Sequence, residues 1–151
     1  MTAADDGVVG GIEVLAFGFL TLVIGALLVA NAWGIVDAKI AVTAAAREAA
    51  RAFVESPGAG IAAQRAEQAA AETLTGHGRD LGRVTEVRVR GRFARCARVT
   101  ASVGYSVPAI ALPWIGGLAD TTVTGSHTEI VDPYRSGLGA VDPSLAETDC
   151  A

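Results

Sequence analysis

VLAFGFLTLVIGALLVANAWGIV, residues 14–36, is the stretch on which the fold turns. It runs for 23 residues without a formal charge, and its one strongly polar side chain is Asn31. A bilayer core takes about 20 such residues at a rise of about 1.5 Å each, so the stretch is long enough to span with some tilt. Nothing before it forms a basic n-region, and no A-x-A cleavage pattern precedes Asp37 and Lys39. The segment therefore reads as a retained membrane helix over residues 12–36, behind a short leader at 1–11, and not as an ordinary secretory signal.

The rest of the composition agrees with an anchored chain of one small domain. The 151 residues are 51% hydrophobic but only 5% aromatic, with a mean hydropathy of +0.41. The apolar mass is thus aliphatic and alanine. A net charge of −4 and a pI near 5.1 provide no basic field, which sets nucleic acid aside as a partner.

Within the span, Gly11, Gly18, Gly25 and Ala32 recur at a spacing of seven and fall on one helix face. Small residues so arranged let a second helix approach closely, because in lipid van der Waals packing replaces the hydrophobic effect as the driving force. Glu13 heads the span. A carboxylate there either snorkels to headgroup water or pairs with an amine of a neighbouring subunit. Lys39, Arg47 and Arg51 follow the span while Asp5 and Asp6 precede it, so the count of basic residues alone would keep the C-terminal part in the cytoplasm.

Outward from the span, residues 37–55 (DAKIAVTAAAREAARAFVE) lack Gly and Pro and carry the helix-spaced charges Glu48, Arg51 and Glu55. One helix is predicted from Ile12 to Glu55, stopped by Ser56, Pro57 and Gly58. A second is predicted over Ile61–Thr75, packing through Ala63, Ala66, Ala70 and Leu74. After Gly76 the period changes to two. Val87, Val89 and Phe93 alternate with Arg88, Arg90 and Arg92, and Val99 to Val107 alternate with polar residues, giving two half-buried strands. A third is expected over Thr121–Val131. Between the second and third, Pro108–Leu118 (PAIALPWIGGL) reads as an apolar loop whose Trp114 either closes the core or forms a contact patch. The fold class is α+β: a long N-terminal helix, a second helix and a small antiparallel sheet of about three strands.

The sequence carries little chemistry. His77, Cys96, His127 and Cys150 lack metal-ligand spacing, and no cofactor motif is present. Ser126 and His127 are adjacent on a strand and so point to opposite faces, which denies them a shared proton. No nucleophile elbow or phosphate loop occurs, so no enzymatic activity is expected. Arg88, Arg90 and Arg92, with Arg83, Arg95 and Arg98, make a dense basic cluster. It reads either as a solvated sheet face with Glu86, Glu129 and Asp132 as ion-pair partners, or as a contact surface for an acidic ligand.

Taken together, Asp6-Gly7, Ile12-Glu13-Val14 before the span, AAAREAARA at 44–52 just after it, and SHTEIVDPYRSGL at 126–138 resemble the TadE-like pilus-assembly proteins, minor pilins or pseudopilins of the tight-adherence (Flp) system in their actinobacterial form. The resemblance covers roughly residues 5–138. It implies a non-enzymatic pilin-like subunit with its N-terminus inside and residues 37–138 outside as a pilin-like domain, followed by a turn-rich tail at 139–151. It also implies processing by a prepilin-type peptidase, with Gly7 as the candidate site, and assembly with other pilin-like subunits and the pilus or secretion machinery. Glu13 lies six residues after Gly7, where such leaders usually place the glutamate five after, and Gly10 and Gly11 are alternative positions. With the domain placed outside, Cys96 and Cys150 are a candidate disulfide, the alternative being two unpaired thiols on a mobile tail. A competing reading from a different class is a membrane-anchored extracytoplasmic binding module that uses the arginine face or the Trp114 loop.

Overall fold

The computed structural model describes residues 9–112 and 116–138. Helix α1 (Val9–Glu55) is continuous over 47 residues, and α2 (Ala59–Gly76) follows after a turn at 56–58. A short 3-10 turn at Leu81–Arg83 leads into β1 (Val84–Arg90), β2 (Arg98–Leu112) and β3 (Gly116–Ile130), an antiparallel meander in the order β1-β2-β3. The architecture is α+β, with a long apolar N-terminal helix as its axis.

The distal half of α1 organises the head. Ala38, Ala41, Val42, Ala45, Ala46, Ala49, Ala50 and Phe53 are buried, the i, i+3, i+4, i+7 pattern of one wide helix face. Helix α2 runs back along α1, so that Arg79, just past its end, pairs with Asp37 of α1. Its buried row is Ala62, Ala66, Ala70 and Leu74, so Ala63, expected in that row, is exposed instead. A strict i+4 ladder from Leu74 leads to Ala62, and in so alanine-rich a helix composition alone does not fix the phase. On the other side, Val99, Ala101, Val103, Tyr105 and Val107 of β2 turn their side chains onto the helices. Burying a valine such as Val99 or Val103 stabilises by about 1.5–3 kcal/mol, and with Val42, Phe53 and Leu74 these side chains fill a core otherwise made largely of alanine methyl groups.

Gly125 explains the broken alternation of β3. A Cβ built there would lie 2.6 Å from the backbone N of Thr43 and from C and O of Val42. The middle of β3 therefore rests directly on the α1 backbone, and only glycine allows that approach.

Two strand boundaries differ from the sequence expectation. β1 ends at Arg90 because Gly91, at φ 132°, turns the chain away. Phe93 still reaches the core from the following bend, edge-on to Phe53 at 5.8 Å between ring centroids, but Arg92 lies off the strand. The larger difference is at Pro108–Leu118, expected as a loop, whose described residues 108–112 and 116–118 are strand. β2 continues to Leu112 and β3 begins at Gly116, and Ile110 pairs with Leu118, Ala111 with Gly117 and Leu112 with Gly116. The hairpin thus extends well past the start of β1, where Val84 pairs with Tyr105.

Candidate functional site

Most of the proximal half of α1 is exposed. Its most apolar 18-residue window has a mean hydropathy of 2.3, with none of it buried inside the chain. Among the described residues it is the one helix long and apolar enough to cross a membrane. Leu15, Phe17, Leu22, Val29 and Trp33 are all more than two-thirds exposed. In water such a surface would drive aggregation, so this stem needs lipid or other apolar helices around it.

The small-residue stripe lies on this stem. Gly18 and Gly25 have open space where a Cβ would project, and Ala32 is exposed. Positions seven apart drift by only about 20° around a helix, so the three stay on one face. Gly11 lies in the first turns of α1. Glu13 is exposed but does not join the stripe: five residues separate it from Gly18, which is about 140° around the helix. The structure therefore separates two features that the sequence places side by side. One neighbour packed on the glycine face would not meet the Glu13 carboxylate.

Asn31, the polar exception in the span, points towards the sheet. Its side-chain N–H donates to the Leu27 carbonyl at 2.8 Å and to the Ala111 carbonyl at 3.2 Å. Its Oδ1 accepts from the Ala111 backbone N–H. The side-chain amide thus pairs with both polar groups of Ala111 as a neighbouring strand would. It does so on the hairpin edge that β1 leaves unpaired.

The expected basic face is smaller than the sequence suggests. The pairs Arg88↔Ser102 and Arg90↔Thr100 put Arg88 and Arg90 on the outer side of the sheet, in line with Arg98 of β2. Arg92 is not on a strand. Of the carboxylates expected to pair with this row, Glu86 reaches Arg88 at 3.3 Å, whereas Glu129 lies on the inner face and meets His127 at 2.9 Å. Asp132 instead accepts the backbone N–H of Tyr134 at 2.8 Å. Ser126 and His127 fall on opposite faces of β3. Among the described residues no group of three His, Cys, Asp or Glu could hold a metal ion.

Cys96 is disulfide-bonded. Its backbone sits at φ 61° and its N–H donates to the Val131 carbonyl at 2.9 Å. Cys150, Gly7, Trp114 and the tail at 139–151 lie outside the described residues.

Arg135 carries a role the sequence did not suggest. Its guanidinium donates to the carbonyls of Val54, Glu55 and Ser56, the unsatisfied end of α1, and stacks over Phe93 with 5.1 Å to the ring centroid. A cation at a helix C-terminus is favoured by the orphan carbonyls and by the dipole. At the same end, Glu55 beside Arg51 (2.9 Å) raises the pKa of that guanidinium further.

Comparisons of the chain with protein-family models, with curated proteins and with solved structures return no match.

Proposed function

We propose that this chain is a non-enzymatic, single-pass pilin-like subunit that takes part in building a tight-adherence-type pilus or secretion pseudopilus and packs through its N-terminal helix. What carries the reading is the stem: a long apolar helix that no part of the head covers on its glycine face, continuous with the helix that organises the head. A plain membrane anchor needs apolarity alone. An open row of small residues adds a surface shaped for another helix. The motif resemblance supports the same role, with the head outside the membrane, a prepilin-type peptidase acting on the leader, and other pilin-like subunits as partners.

A photo-crosslinking residue at Val29, one turn from Gly25 on the same side, tests the reading in native membranes. Protein adducts should form from Val29 and fall sharply from Val23, which lies on the far side of the helix from Gly25. Adducts to lipid alone from both positions would reject an assembly role and leave an anchor.

The competing role, an anchored binding module, draws on Arg88, Arg90 and Arg98 sharing one exposed sheet face. Replacing all three with glutamine separates the two. A binding module would lose its ligand, and a stem-packed subunit would keep its Val29 adducts.

A further inference from the structure

We propose that the paired residues 109–112 and 116–118 of the β2–β3 hairpin are a second membrane contact, seated among the lipids of the head-side leaflet beside the stem. The inference rests on reading α1 as a membrane span. Its first support is position. Asn31 holds Ala111, and Asn31 precedes Asp37, the first charge after the span, by six residues, or about 9 Å along the helix. The Ala111 rung of the hairpin therefore lies at the depth that interfacial segments reach, about 5–10 Å below the surface of the apolar layer. Ile24, Leu27 and Leu28 of the stem line an apolar groove against Ala109, Ile110 and Leu112, so the contact continues further along the span.

The second support is chemistry. Residues 109–118 carry no charge, and the last ion pair above them is Arg83 with Asp120 at 3.2 Å. Ile110 and Leu118, cross-strand partners, are each 49% exposed, so these two side chains do not close the core of their own chain. The third is the treatment of the backbone. A sheet edge in lipid leaves N–H and C=O groups that no solvent can satisfy. Here β3 covers one edge of β2, and the Asn31 amide takes both groups of Ala111 on the other. The far edge of β3 has no strand beside it among the described residues, which keeps this end at the interface, within reach of headgroup water.

Depth-dependent quenching of a single tryptophan reads the contact directly. The full chain carrying Trp33→Phe and Trp114→Phe receives one reporter at a time: Leu118→Trp, Leu22→Trp in the stem, or Ser126→Trp on the outer sheet face. Each variant is reconstituted in phosphatidylcholine vesicles brominated at a shallow or a deep acyl position. The Leu118 reporter should lose most of its emission to shallow bromines, the Leu22 reporter to deep ones, and the Ser126 reporter to neither. A Leu118 reporter as unquenched as Ser126, with Leu22 quenched, overturns the hairpin contact while the span stands. Leu22 left unquenched removes the span and the hairpin contact together.

Discussion

Gly125 lets β3 rest on α1, and Arg135 ties the segment after β3 to the end of that helix. At Gly125 the atoms that a Cβ would meet belong to the α1 backbone, which cannot swing aside as a side chain would. Gly125→Ala should therefore lift β3 from α1 and destabilise the head by about 1–3 kcal/mol, read as a lower midpoint in denaturant unfolding of the detergent-solubilised protein. Arg135→Ala strips the end of α1 of its donor and leaves part-buried carbonyls unpaired. A loss of about 2–3 kcal/mol is expected, and Arg135→Lys should restore only part of it, since a lysine lacks the planar fork that spans several carbonyls. A full rescue by lysine would mean that charge near the helix end matters and the geometry does not.

At the scale of elements, α1 was legible because a long uncharged run followed by alanine-rich, breaker-free sequence admits little else. The burial of β2 was legible because strict alternation has one phase. Three features were not. The packing row of α2 is ambiguous by one residue because alanine lies on several sides of that helix. The hairpin extension was hidden by Pro108, Gly116 and Gly117, which read as breakers, and its support comes from Asn31, eighty positions away. The link from Arg135 to Val54 spans a similar separation and has no local signal. The relation of Glu13 to the glycine face was available from helix geometry, and the two still had to be placed on the rod to be seen apart. That separation makes Glu13→Ala informative: if the carboxylate pairs with an amine of a second neighbour, the variant should insert normally and keep its Val29 adducts but show lower recovery in higher-order cross-linked assemblies. Unchanged recovery would favour a carboxylate that only reaches headgroup water. A carboxylate placed at mid-bilayer costs about 2.5–3.5 kcal/mol and less near the interface, so insertion itself should not suffer.

For the molecule as a whole, the basic-residue count and the pilin-like reading give opposite orientations. Protease added to intact protoplasts should digest the chain after Lys39, leaving the stem in the membrane. Full protection of the head would establish the orientation that the charge count favours and reject an extracytoplasmic one.

The unbroken course of α1 has a mechanical consequence. From Val9 to Glu55 there is neither a proline nor a gap in the helix, and α2 and the sheet are both fastened to its distal half. A rod without a joint transmits torque. Whatever angle a neighbour imposes on the stem by locking into its glycine groove, the head must turn with it, carrying the arginine-bearing face of the sheet to a fixed bearing around the axis.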